Sequence, residues 1–220
     1  MNRRVVAGLI ALLALGALLF ASYFLRPHFR ARKINQMQKN AEEKIKAGEY
    51  LDAELILRKA LKIEPDNSEI NFKLGQVLEK QGILNEAQEY YFKSAKNAKS
   101  PEPAYSAAIT AYKMGKIDEA EKLFQAVVAN YPNDIPSLYQ LGWLLARKGD
   151  YANAVTYFER IVGIKPDEAE AYNNLGYCLY NMDQTERAKD MFKRALELNP
   201  ELESAKKSLK TIEEELSPQK

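Results

Sequence analysis

The chain has 220 residues, 28% of them charged, with 32 Lys plus Arg against 30 Asp plus Glu, one Cys and one His. One cysteine excludes an intramolecular disulfide framework and a Cys-based zinc cluster, and one histidine has no second histidine with which to share a metal. Residues 1–33 hold six basic side chains and no acid, leaving 26 basic against 30 acidic beyond them; a mildly acidic remainder argues against a phosphate-binding surface, and so against nucleic acid as partner.

The first predicted element is the apolar run VVAGLIALLALGALLFASYFL over residues 5–25, bounded by Arg4 and by Arg26-Pro27. As a helix it would be about 31 Å long, against a bilayer core of roughly 30 Å. A cleaved export signal is the competing reading. It is disfavoured because Leu19 stands where a small residue should precede Ala21, and Tyr23, Phe24 and Leu25 prolong the run. The sequence thus predicts a short tail (1–4), a transmembrane anchor held in membrane lipid (5–25) and a basic juxtamembrane segment (26–33), in a single-pass integral protein of a bacterial inner membrane. The larger cationic group after the span tips the remainder towards the cytosol, whereas Arg3 and Arg4 in a four-residue leader resemble anchors whose bulk is exported; the side stays open. His28, among the basic residues, reads as an interfacial side chain.

From residue 34 to 202 one pattern of helix pairs is written five times. A small residue recurs at Ala53, Ala87, Ala120, Ala154 and Ala188, with spacings of 34, 33, 34 and 34. A large residue follows each by four, at Leu57, Tyr91, Phe124, Phe158 and Phe192. Turn glycines stand at Gly48, Gly82, Gly115 and Gly149, with Asp183 in the fifth copy, and prolines close four copies at Pro65, Pro132, Pro166 and Pro200. Glycine suits the left-handed conformation that ends a helix, and proline stops the next one. Leu74-Gly75, Leu141-Gly142 and Leu175-Gly176 lie inside first helices, where a small residue such as Gly142, facing Ala154, lets two helices approach closely while Phe158 fills the space between pairs.

A period near 34 with these landmarks resembles the tetratricopeptide repeat family, most closely in the fifth copy, AEAYNNLGYCLYNMDQTERAKDMFKRALELNP. The resemblance implies an all-α fold: a right-handed α-solenoid of five helix pairs (34–67, 68–100, 101–134, 135–168, 169–202). The first copy departs from the pattern with Asn40 and Lys44 at positions usually apolar, as expected of a terminal repeat. After Pro200, Leu202, Ala205, Leu209, Ile212 and Leu216 form a stripe that predicts a capping helix and tail over 203–220, although such a stripe also suits partner binding.

No phosphate loop, nucleophile elbow, paired metal ligands or Rossmann glycines occur in their required context. Acidic pairs such as Glu42-Glu43 and Asp118-Glu119 read as solvated helix faces, and Cys178 as a small buried hydrophobe. The expectation is a non-enzyme without cofactor or metal. The family resemblance implies instead a groove formed by the first helices, into which positions 2, 5, 9, 12 and 13 of each project. In that register the groove holds Phe72, Gln76, Tyr105, Ile109, Tyr112, Tyr139, Trp143, Asn173, Tyr177 and Tyr180, and Asn174 joins Asn173 by resemblance. The asparagines resemble those with which other members hold a peptide backbone. The carboxylate clamp of co-chaperone members is disfavoured, since its positions are taken by Gln38, Glu42, Lys73, Glu102 and Ser106.

These readings predict a membrane-anchored adaptor that docks an extended or helical protein segment in an aromatic groove, supporting assembly or targeting of a membrane-associated complex. A self-associating structural protein, a homo-oligomer, is the alternative; an enzyme subunit ranks last.

Overall fold

The computed structural model describes residues 28–216. A first helix, α1, runs through residues 28–46. It is followed by α2 (Tyr50–Leu61), α3 (Ser68–Lys80), α4 (Leu84–Ala95), α5 (Glu102–Lys113), α6 (Ile117–Asn130), α7 (Ile135–Arg147), α8 (Tyr151–Ile164), α9 (Ala169–Tyr180), α10 (Thr185–Leu198) and α11 (Glu203–Leu216). Every regular element among the described residues is helical, so the expected all-α architecture of paired helices is found. The chain divides into two compact units, residues 1–98 and 99–220. In unit 1, α2 packs on α3 and α3 on α4; in unit 2, each helix from α5 to α11 packs on the next.

The turn inside each pair is built the same way five times. Gly48, Gly82, Gly115 and Gly149 have φ between 76° and 82°, and Asp183 takes the same left-handed conformation at φ 61°. The residue after each donates its amide five residues back, to the carbonyls of Lys44, Leu78, Ala111, Leu145 and Leu179, at 2.9–3.0 Å. This six-to-one bond satisfies a carbonyl that the ending helix would otherwise leave open. At the opposite ends, Asn67, Asp134 and Asp150 cap α3, α7 and α8 by accepting from the amides of Ile70, Ser137 and Asn153.

The second helix of each pair buries a stripe at i, i+4 and i+7. Ala53, Ala87, Ala120, Ala154 and Ala188 are fully buried, and so are Leu57, Tyr91, Phe124, Phe158 and Phe192 four residues on. Each ring meets a small residue sixteen positions earlier, in the first helix of its own pair. A Cβ placed on Gly75 would come within 2.7 Å of the Tyr91 ring, one on Gly142 within 3.0 Å of Phe158, and one on Gly176 within 2.9 Å of Phe192. Ala108 and Ala41 stand at the equivalent positions, sixteen residues before Phe124 and Leu57, and both are fully buried. Phe158 therefore fills a slot within its own pair, and not only the space between pairs. The α11 stripe is partly accounted for in the same way: Ala205 and Ile212 are buried, with Leu202 and Leu209 packed beside them, and α11 contacts both α9 and α10.

One expectation is corrected. Among the described residues no helix is long and apolar enough to cross a membrane, and the predicted span 5–25 lies outside them. The helices seen pack against one another within the repeats and are too short or too polar to span a bilayer core, so none can carry the expected localisation as a single-pass integral protein.

The glycine–ring contact gives a direct test of the packing. Gly142→Leu should destabilise unit 2 by about 1–3 kcal/mol through overpacking against Phe158, whereas Gly163→Ala, where an added Cβ meets nothing within 4 Å, should be neutral or slightly stabilising. Thermal melts followed by far-UV circular dichroism distinguish the two; equal melting temperatures would show that the contact does not hold the pair.

Candidate functional site

The predicted groove positions separate into two classes. Rings at position 5 of the first helices lie on the core ring of the second helix: Phe72 on Tyr91 with centroids 5.5 Å apart, Tyr105 on Phe124 at 5.7 Å and Tyr139 on Phe158 at 6.1 Å. All three are half-buried, so these rings are as much packing as surface. One turn further, at position 9, Trp143 is 40% and Tyr177 48% exposed, large for aromatic residues in otherwise well-packed helices. Gln76 is exposed as well, while Ile109 is half-buried against the core of unit 2.

In unit 2 the exposed indole is held in place from two sides. Tyr112 of α5 meets Trp143 of α7 edge-on at 5.8 Å. One turn along α7, the Arg147 guanidinium lies over the indole, 4.7 Å from the ring centroid, and its Nη1 donates to the Tyr112 hydroxyl at 2.9 Å. Each of the three groups thus restrains the other two, and the cation sits on the negative face of the ring. Tyr177 of α9 is likewise met edge-on by Tyr151 of α8, at 6.1 Å.

Two cavities open on either side of Trp143. One, of about 290 Å³, is bounded by Arg147, Phe158, Asn173, Asn174 and Tyr177, with Ser204 and Ser208 of α11 forming its far wall. The other, of about 510 Å³, lies between Tyr105, Tyr112, Tyr139 and Gln140, and it too reaches Asn174. The structure therefore gathers seven of the predicted residues, Tyr105, Tyr112, Tyr139, Trp143, Asn173, Asn174 and Tyr177, around one pair of hollows. Ile109 and Tyr180 line neither of them, and Phe72 and Gln76 belong to unit 1.

Arg147, Gln140 and the two α11 serines were not singled out from the sequence. Arg147 could have been, because it stands at position 13 of its helix, one of the positions that the family register directs into the groove. Ser204 and Ser208 could not, since α11 lies outside the repeat.

Two hydrogen bonds tie α11 to α9: the Ser204 hydroxyl donates to Asn173 Oδ1 at 3.2 Å, and the Tyr180 hydroxyl donates to Glu215 at 2.7 Å. The first engages Asn173 Oδ1, and the amide nitrogen of this cavity-lining residue keeps its donors for a ligand. Glu215, as hydrogen-bond partner, raises the Tyr180 phenol above its ordinary value. The Tyr139 hydroxyl is buried without a hydrogen-bond partner among the described residues, and burial, followed by the charges of Glu168 and Glu170, pushes its ionisation far up. Tyr139 is consequently a neutral donor at any physiological pH. Cys178, fully buried behind the smaller cavity, has its thiol pushed up to about 11 by burial.

Comparison with known proteins agrees with the geometry. Residues 105–169 and 169–202 match tetratricopeptide repeat profiles, and residues 46–127 match that of anaphase-promoting complex, cyclosome, subunit 3. A TPR repeat-containing protein of Dictyostelium discoideum is 33% identical over 120 residues, covering 50% of this chain; the chain spans only 45% of that relative's length. Among solved structures, YrrB, a TPR protein with an unusual peptide-binding site, superposes with a TM-score of 0.65 at 21% identity, over 79% of this chain and 90% of its own. MamA superposes with a TM-score of 0.67 at 24% identity, over 77% and 93% of the two chains. MamA from residue 41 to its end, from Desulfovibrio magneticus RS-1, gives 0.58 at 26% identity, over 68% and 90%. The tetratricopeptide repeat is the family that the profile matches and the relative's name support. The described residues thus form an all-α array of paired helices whose fold is that of solved tetratricopeptide repeat proteins, with profile matches to that repeat over residues 105–202.

The buried thiol provides a probe of this region. With its ionisation raised, Cys178 carries little thiolate at pH 8, and the folded protein should react with a disulfide reagent roughly a hundredfold more slowly than the unfolded chain. Comparable rates would mean that α9 and α11 open readily around the cavity.

Proposed function

We propose that unit 2 docks a segment of a partner protein, extended or helical, in the groove around Trp143, and that the protein acts as an adaptor in assembling a larger complex. The observation that carries this reading is the indole itself: a large apolar ring left 40% exposed, yet held rigid by Tyr112 and Arg147 between two cavities. Rigid rings with polar rims give large contact area at low entropic cost, which is the composition of interface anchors. Tyr177 and Trp143 would clasp apolar side chains of the segment, while Asn174 and the free amide of Asn173 would bind its backbone. The peptide-binding site of YrrB, which shares this fold, supports the reading by analogy of architecture.

The test is in-cell photo-crosslinking from a probe at Tyr177, the most exposed of the groove aromatics, with a probe at Lys122 on the outer face of α6 as control. A partner labelled from position 177 only, and lost when Trp143→Ala is added, is the expected result. Equal labelling from both positions would remove the groove as the working surface, and self-adducts alone would point to association between copies of this chain. Trp143→Ala combined with Tyr177→Ala should weaken capture about tenfold or more while leaving the far-UV spectrum nearly unchanged; loss of helicity in that variant would show that these rings are core.

A further inference from the structure

We infer that the docked segment is acidic: it carries an Asp or Glu side chain that lies on Arg147, next to a bulky apolar side chain seated in the cavity between Trp143 and Tyr177. The inference rests on the groove reading above and specifies the chemistry of its ligand. Arg147 has five N–H donors, and the structure uses one of them, for the Tyr112 hydroxyl. Among the described residues no carboxylate pairs with it. Other arginines of the repeats are satisfied within the fold: Arg58 is paired with Glu54 and Glu86, Arg187 with Glu159, Arg194 with Glu197, and Arg160 donates to the carbonyl of Pro132. Even Lys148, the next residue, is committed, to Asp118 and Glu121 on α6.

The simplest alternative for a cation in the last turn of a helix is interaction with the helix dipole, and Lys80 and Lys113 occupy that place in α3 and α5. Dipole compensation needs only a charge near the end of the helix. It does not require the guanidinium to fold back over an indole and to be fixed there by a tyrosine from another helix, as Arg147 is. Arg147 also lines the smaller cavity, with Nη1 engaged by Tyr112. A planar fork held flat and open on one edge matches a carboxylate, which it can receive through two parallel N–H···O bonds. The cavity beside it, about 290 Å³ with rings on two sides, accepts a Leu, Met or Phe side chain. The groove carboxylates sit elsewhere: Glu168 is paired with Lys165, and with Glu170 it acts on Tyr139, in the other cavity.

Selection from a phage-displayed library of random dodecapeptides on the full chain tests the inference, with Trp143→Ala as counter-selection. Enriched peptides should place Asp or Glu within two or three residues of a bulky apolar residue. Arg147→Gln, which keeps a planar polar group while removing the charge, should weaken a selected peptide by about tenfold or more, and raised salt should weaken binding to the parent but much less to the variant. Arg147→Glu should turn the selected preference from acidic to basic, a reversal that a purely structural arginine would not produce; matching far-UV spectra establish that both variants fold. Peptides that depend on Trp143 but show no acidic preference, or an Arg147→Glu selection identical to the parent's, would overturn the inference and leave the groove reading standing. Failure to enrich any Trp143-dependent peptide would overturn both.

Discussion

The tightest glycine contacts among the described residues are between the backbone of a first helix and the large side chain of its partner, sixteen residues further on. Three of the five first helices carry glycine there, where a Cβ would come within 3.0 Å of the ring opposite, and the other two carry a fully buried alanine. The contact does more than fill volume. It sets the distance between the two helices and fixes the rotation of the second helix about its axis. It also puts the side chain at position 5 of the first helix in contact with the same ring, as Phe72, Tyr105 and Tyr139 show. Interiors packed at crystal-like density transmit such a constraint without slack. One turn along the first helix, Trp143 and Tyr177 stand clear of the ring of their own second helix and are partly exposed, while Ile109 at the same position packs half-buried against the core. The groove is thus a consequence of the core contact, and Trp143 and Tyr177 are exposed because Phe158 and Phe192 already occupy the glycine slots.

The turns make this geometry reproducible. A left-handed residue followed by a six-to-one hydrogen bond reverses the chain in the same way in every copy. That Asp183 adopts the conformation in the fifth copy shows what the turn demands, since aspartate tolerates it better than most residues with a side chain but still less well than glycine. The repeated turn keeps the register between first and second helices, and without that register the ring would miss its glycine.

Much of the fold was legible in the sequence for this reason. A fixed contact between residues sixteen apart, a turn residue midway and a proline at the end are local in the chain, and local signals survive as periodicity. The site was legible only in part. The family register named the positions that approach the groove, but it does not say which of them are drawn down onto a core ring and which stand clear. Tyr139 and Trp143 look alike in the sequence and differ in the structure because Phe158 takes the first as a neighbour and not the second. Arg147 escaped notice for a related reason: its significance lies in a bond to Tyr112, thirty-five residues earlier on another helix. The wall contributed by α11 comes from outside the repeat altogether. The apolar run at residues 5–25 shows the opposite limit, since composition there predicts an environment but no described helix bears it out.

An exposed indole in water ordinarily carries a cost in rotamer freedom when a ligand fixes it. Here that ordering is already present, because Tyr112 meets the ring from the side and Arg147 covers one face. The arrangement also couples the apolar and charged parts of the surface. A carboxylate that binds the outer edge of Arg147 leaves the guanidinium on the indole, so the stack and the ion pair can coexist and the ligand need not exchange one for the other. Arg147 and Tyr177 line the same cavity beside Trp143, so a charged and an apolar contact lie within reach of one ligand segment. Specificity in such a groove would come less from total buried area than from this fixed spacing between one charged contact and one apolar contact.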